Sequence, residues 1–175
     1  MSVEFDLPQP ELEWLASPVH EVHQPDSTLL GWLRYRDVLT IRMKESSQAA
    51  FGLQLLEQCS GPGLMVNELN IRRVILWSGT VPCIYAESHI PNSALIALPA
   101  LRQLGGDPLG EFLHKNSDVR RGEFEYALLQ SPELPTPLEA LSGRPMWARR
   151  ARYSAGGSGL IVAEMFLPGI TSLKG

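Results

Sequence analysis

A carboxylate lies at the centre of an otherwise apolar run near the end of the chain, and no other stretch restricts the fold as much. The run is Leu160-Ile-Val-Ala-Glu-Met-Phe-Leu-Pro168, in which Glu164 is the one charged residue. Gly156-Gly157-Ser158-Gly159 precede it and Pro168-Gly169 end it, so its length and borders predict a strand buried on both faces. Desolvating an isolated charge costs on the order of several kcal/mol. Glu164 is therefore held by an internal cation, or partly protonated, or committed to a ligand.

The rest of the chain must supply the sheet into which such a strand fits. With 175 residues, 44% of them apolar, the chain suits one globular domain spanning residues 1–175. Pro8, Pro10, Pro18 and Pro25 make residues 1–25 an irregular segment, with at most a short helical piece over 11–16. No apolar run approaches the roughly 20 residues that span a bilayer. Met1-Ser-Val-Glu-Phe-Asp6 lacks the basic-then-apolar pattern of a signal peptide, and a cytoplasmic location is expected. Cys59 and Cys83 suit reduced thiols in strands. A net charge of −4 provides no bulk attraction to nucleic acid or anionic membrane, so any anion site has to be made locally.

Periodicity then orders the elements. Asp26 or Ser27 caps a helix whose stripe is Leu29, Trp32 and Leu33. Residues 38–43 and 50–58 are expected as strands, with a loop over 60–63. Residues 70–77 and 83–90 form a hairpin across Ser78-Gly79-Thr80-Val81. From Ser93, a predicted N-cap, the period becomes helical through Leu95, Leu98, Leu101 and Leu104, with Pro99 kinking or shortening the helix. Asp107-Pro108 opens another helix, with Asp107 as N-cap. Residues 119–129 read as a half-exposed strand, 138–141 as a short helix, and 146–153 with 160–167 as a closing hairpin. The sum is α+β, about six or seven mainly antiparallel strands with inserted helices.

Residues 71–77, Ile-Arg-Arg-Val-Ile-Leu-Trp, repeat the anomaly of the last strand. Arg72 shares a face with Val74 and Leu76, and Arg73 with Ile75 and Trp77, so at least one guanidinium points at buried surface. An inward Arg and an inward Glu either meet each other or serve a ligand with a carboxylate and a hydroxyl, the guanidinium fork matching the carboxylate. The helix start at Asp107-Pro108-Leu109-Gly110 is a second anion element if its amides donate outward, and an ordinary capped helix if Asp107 uses them. His20 and His23 are bracketed by Pro18 and Pro25 with no third ligand nearby, which argues against metal. Arg149, Arg150 and Arg152, with Arg120 and Arg121, suggest a basic face, but strand alternation sends neighbouring arginines to opposite faces and the chain is acidic overall, which argues against a nucleic-acid surface.

Together, five segments resemble the bacterial chorismate pyruvate-lyases in order and approximate spacing. They are Arg72-Arg-Val-Ile-Leu-Trp77, Tyr85-Ala-Glu-Ser-His-Ile-Pro91, Leu104-Gly-Gly-Asp-Pro-Leu-Gly110, Trp147-Ala-Arg-Arg-Ala-Arg152 and Ala163-Glu-Met-Phe-Leu-Pro168. The resemblance runs from about Leu30 to Pro168. It implies conversion of chorismate to 4-hydroxybenzoate and pyruvate for ubiquinone biosynthesis, with no metal or organic cofactor. It also implies a mostly antiparallel sheet with helical flaps over an internal site. On that basis Arg72 binds the ring carboxylate, the Leu109 amide adds a donor, and Glu164 stands beside the ring hydroxyl. Leu39, where relatives often have Met, makes a backbone contact. Arg72 and Glu164 are the expected catalytic residues.

A product held by the same contacts as substrate is expected to leave slowly, with residues 29–39 and 93–106 as candidate flaps. A monomer is expected, with no nucleic-acid partner and no membrane insertion. Two positions depart from the family pattern: Glu87 where Arg is usual, and Cys83 where Trp is usual. If the usual Arg holds the enolpyruvyl carboxylate, Arg73, Arg149 or Arg150 has to replace it here. The competing readings are a non-catalytic small-molecule binding domain of the same fold, and a lyase acting on a related enolpyruvyl substrate.

Overall fold

The computed structural model of the chain describes residues 12–58 and 69–174. Glu11, Cys59 and the loop expected at 60–63 lie outside the described residues. Helices α1 (Ser27–Leu33) and α2 (Leu39–Ser46) come first, then strands β1 (Phe51–Glu57), β2 (Leu69–Ser78) and β3 (Val81–Pro91). Helix α3 (Asn92–Ala97), a 3-10 turn over Pro99–Gln103 and helix α4 (Leu109–Lys115) follow. Strands β4 (Arg120–Arg121) and β5 (Glu125–Leu129) lead to a 3-10 segment, Thr136–Leu141. The hairpin β6 (Met146–Ala155) and β7 (Ser158–Phe166) comes last, before a 3-10 turn over Pro168–Ser172.

The seven strands make one antiparallel sheet in the order β1-β2-β3-β7-β6-β4, with β5 also paired to β6. The α+β expectation is borne out. Strand β7 lies between β3 and β6, which accounts for its composition: both edges are hydrogen-bonded and both faces are covered. One face packs under α1 and α2, where Phe166, Ala86, Val74 and Trp147 meet Trp32, Leu33, Leu39 and Met43. The other buries Ile161, Ala163 and Met165 against Leu12, Trp14, Leu134 and Leu138. The hairpin turn at Gly156 and Gly157, both at positive φ (55° and 79°), matches the twist of the flanking strands.

Several local expectations fail for identifiable reasons. Residues 38–43 are not a strand but the start of α2; Val38, Thr40 and Ile41 favour strands, yet Leu39, Thr40 and Met43 bury one helical side. Residues 11–16 hold no helix among the described positions; Leu15 instead exchanges two backbone hydrogen bonds of 2.7 Å with Tyr126. Helix α3 begins two residues earlier than expected, with Pro91 instead of Ser93 as N-cap, while Ser93 Oγ meets Ser158 Oγ at 2.7 Å. The strand expected over 119–129 breaks after Arg121, and the Gly122 N–H donates to the Arg152 carbonyl at 2.8 Å. Pro99 divides the 93–104 stripe as anticipated, α3 ending before it and a 3-10 turn continuing.

Candidate active site

Alternation along each strand sends a set of polar side chains to the helix-covered face. Arg72 is in register with Ser88 and Ser88 with Val162; two residues further along β7, Glu164 is in register with Arg149 of β6. Tyr153, four residues beyond Arg149 and so on the same face, is in register with Arg121 of β4.

An inner cavity of about 50 Å³ opens under this face. Its floor includes Arg72, Val74, Ala86, Ser88, Val162 and Glu164, and its roof is Val38, Leu39 and Thr40 beside Pro108, Leu109 and Gly110. An outer compartment of about 320 Å³ adjoins it and shares Val38, Leu39, Gly110, Tyr153 and Glu164 as lining. The expected site residues Arg72, Leu39, Leu109 and Glu164 thus converge on one cavity.

Arg72 is 3% exposed. Its Nη2 donates to the carbonyls of Gly105 (2.9 Å) and Asp107 (2.8 Å), so the buried cation pins the turn that leads into α4. Asp107 is not the cap: Pro108 is N-cap and no side chain closes the helix start. The first-turn amides of a helix have no intrahelical acceptor, and Leu109 brings them to the cavity roof. The roof helices are tied together, Glu111 of α4 accepting from Thr40 Oγ1 at 2.8 Å and Lys44 Nζ at 2.6 Å. Burial alone would raise the Glu111 carboxyl; the bonds from Lys44 and Thr40 outweigh it and hold the group below its ordinary range. Of the two candidate flaps, 29–39 contributes Val38 and Leu39 to the cavity, whereas 93–106 reaches it through the Gly105 carbonyl on Arg72.

Glu164 and Arg72 do not pair. Glu164 Oε2 accepts from Arg149 Nε at 2.7 Å, which answers the question its sequence raises: an internal cation holds it, and it also lines both compartments. Arg149 is 2% exposed. Its Nη1 donates to the Leu33 carbonyl at 3.1 Å and to that of Tyr35, at the end of α1 where carbonyls lack helical partners. The guanidinium carbon lies 4.0 Å from the Phe124 ring centre. Tyr153, half-buried beside them, has its phenol pushed up to about 12 by burial and then by Glu164, with Arg121 and Arg149 opposing. It keeps its proton at neutral pH.

The Glu87 departure lies on the opposite face. Glu87 is 1% exposed, in register with Arg73 and Ala163, and lines neither compartment. Its carboxylate meets His89 Nε2 at 2.8 Å, Arg73 Nε at 3.1 Å and the Tyr85 hydroxyl at 3.2 Å. Burial would raise it, but the hydrogen bond with His89 and then the Arg73 charge hold it below the ordinary range. Arg73 therefore balances Glu87 rather than facing the cavity. Arg150, one residue from Arg149, bonds Glu125 at 2.8 Å and lies over the Trp14 ring. Cys83, the other departure, is buried in the core.

His20 and His23 stack at 5.7 Å, and His20 Nδ1 accepts from the backbone of Val22 and His23. Among the described residues no three His, Cys, Asp or Glu side chains group as a metal set, and no helix is long and apolar enough to cross a membrane. Sequence reasoning gave Tyr153 no role and weighed Arg121 only as part of a basic face, not at the cavity. Strand alternation from Arg149 carries the signal for Tyr153, but nothing local marks Arg121 as its cross-strand neighbour.

A family model described as Chorismate lyase matches residues 11–174. A protein of Pseudomonas savastanoi pv. phaseolicola (strain 1448A / Race 6), named "Probable chorismate pyruvate-lyase", is 32% identical over 157 residues, 83% of each chain. One of the same name from Methylococcus capsulatus is 32% identical over 82% of this chain and 96% of its own. Another, from Pseudomonas putida, is 30% identical over 97% of both. Among solved structures, the C-terminal domain of the histidine utilization repressor from Pseudomonas syringae pv. tomato superposes with a TM-score of 0.47. That domain is 12% identical, over 72% of this chain and 97% of its own.

Proposed function

We infer that this chain, which belongs to the chorismate lyase family, is a lyase that releases pyruvate from chorismate and leaves 4-hydroxybenzoate, the precursor of the ubiquinone ring. The observation that carries the reading is the placement of Arg72 and Glu164 on one cavity, on strands β2 and β7 with β3 between them. Two strand spacings put their backbones roughly 10 Å apart across the sheet. That separation suits a ring with a carboxylate at one end and a hydroxyl at the other. Arg72 and the Leu109 amide take the ring carboxylate; Glu164 takes the hydroxyl at C4, and Leu39 closes over the ring.

The chemistry needs little from the protein beyond position and an acid–base group. The C4 proton is lost, its electron pair enters the ring, and the C3–O bond breaks with its electrons leaving on enolpyruvate. Enolpyruvate takes a proton at its methylene carbon to become pyruvate. Aromatisation drives the elimination, and a site closed to water holds the one reactive conformer. Glu164, orientated by Arg149, is the base nearest the C4 end.

The direct test is purified protein with chorismate and EDTA, products separated by chromatography and pyruvate assayed in parallel. Equal amounts of 4-hydroxybenzoate and pyruvate are expected. Saturable binding of 4-hydroxybenzoate without turnover would instead make the chain a binding domain. The inner cavity lies beneath α2 and α4, which are tied together through Glu111, and ligand enters and leaves as that roof lifts. Product release then limits turnover. Amide hydrogen exchange is expected to slow in both helices when 4-hydroxybenzoate is added; unchanged exchange in both would refute the moving roof.

A further inference from the structure

The ring ends account for one carboxylate of the substrate and leave the second, on the three-carbon ether, without a partner. If C4 stands at Glu164, the substituent on the neighbouring C3 emerges beside that residue. The space beside Glu164 is the outer compartment.

His114 lines it beside Asp37, its Nδ1 3.9 Å from a carboxylate oxygen, and the arginines can be taken one by one. Arg149 is spent on Glu164 and the end of α1. Arg36 donates from Nη2 to both oxygens of Glu123 at 3.0 Å and is largely exposed. Arg73 and Arg150, the alternatives the sequence offered, face other groups on the far side of the sheet. Arg121 remains. It lines the compartment with its guanidinium over the Phe124 ring at 4.5 Å, and among the described residues it makes no ion pair. Its cross-strand neighbour Tyr153 lines both the inner and the outer spaces and carries a hydroxyl that stays a donor at neutral pH. A guanidinium and an O–H donor side by side, on an aromatic shelf that limits water, are what a small carboxylate requires.

We propose that Arg121 and Tyr153 form the subsite for the carboxylate of the enolpyruvyl group, holding it before the C3–O bond breaks and guiding pyruvate out afterwards. The proposal rests on the lyase reading above and adds residues that the reading does not contain. It also explains how Glu87 is tolerated: the second carboxylate is met from β4 and β6, not from β3.

The test separates the two ends of the substrate. The variants Arg121→Gln, Arg121→Lys and Tyr153→Phe are compared with the parent for kcat/KM on chorismate and for the Kd of 4-hydroxybenzoate by calorimetry. Arg121→Gln is expected to lower kcat/KM by about 10-fold or more, the size of one lost hydrogen bond to a charged group. The Kd of 4-hydroxybenzoate, which lacks the second carboxylate, is expected to move by less than about twofold. Arg121→Lys, keeping the charge without the fork, is expected to fall between parent and Arg121→Gln, and Tyr153→Phe to lose about threefold to tenfold in kcat/KM. A parent that turns over chorismate while Arg121→Gln keeps its kcat/KM would overturn this subsite alone. Parallel losses of kcat/KM and product affinity would overturn it too, since a general disturbance of the site acts on both. A parent with no turnover would remove the lyase reading, and this inference with it.

Discussion

Glu164→Gln and Arg72→Ala are each expected to lower turnover of chorismate by at least ~100-fold, the lower range for loss of an acid–base group or a preorganised charge. The two losses arise differently. Glutamine keeps the shape of Glu164 but cannot take the C4 proton, and it leaves the Arg149 guanidinium without its carboxylate at 2.7 Å. Alanine at Arg72 removes the cation expected on the ring carboxylate. It also removes the donor to the Gly105 and Asp107 carbonyls, which frees the turn that aims the Leu109 amide.

Arg72→Lys separates those effects, since lysine keeps the charge but not the planar fork. It is expected to recover part of the affinity for 4-hydroxybenzoate and little of the rate. Steady-state assays, with circular dichroism to confirm the fold, measure all three variants. Near-normal turnover in folded Glu164→Gln and Arg72→Ala would sink the assignment.

Removing Arg149 is expected to have the largest effect on stability. Arg149→Met should lower the free energy of unfolding by about 3 kcal/mol or more, the cost of breaking a buried pair from one side. Several interactions go at once. Glu164, whose side chain is 20% exposed, loses its cation in a site largely shut off from water. The carbonyls of Leu33 and Tyr35 lose the donor that joins the end of α1 to β6. The Phe124 ring loses the guanidinium stacked on it. Methionine fills much of the volume, so the loss is chiefly electrostatic and not a cavity effect.

Urea titration measures it, and the double variant Arg149→Met with Glu164→Gln apportions it. Neutralising the orphaned carboxylate should recover at least about 1 kcal/mol of the single-variant loss. A single-variant loss below about 1 kcal/mol would mean that water reaches the pair and screens it. Arg149 would then be an ordinary surface-type partner. Because α1 and the Val38–Leu39 stretch cover the same face, the variant is also expected to bind 4-hydroxybenzoate less tightly.

The Glu87 position shows how a departure from a family pattern is read differently in one dimension and in three. In the chain it is an acid among residues of a suspected site. In the fold it faces the opposite side of the sheet, where Arg73, His89 and Tyr85 satisfy it. The carboxylate at 87 has local partners that suit it, and it lines neither compartment of the candidate site.

Local physics made much of this protein legible from its residues. Period-two alternation and glycine turns marked six stretches that between them cover all seven strands at least in part, because strand faces and hairpin turns are decided by neighbours in the chain. The charge anomalies at Arg72 and Glu164 were visible for the same reason: each interrupts a run too apolar to be solvated. Long-range contacts decided the rest. Residues 38–43 have the composition of a strand, but burial of Leu39 and Met43 together under one roof makes them helical, a gain that exceeds the small propensity difference. Alternation states that Arg149 and Arg150 face opposite ways; only the pairing of β6 with β7 decides which of them meets Glu164. Arg121 and Tyr153 lie 32 positions apart and become neighbours only through the β4–β6 register. Periodicity fixes relative faces within a strand, whereas absolute direction and the company kept across the sheet belong to the packed structure.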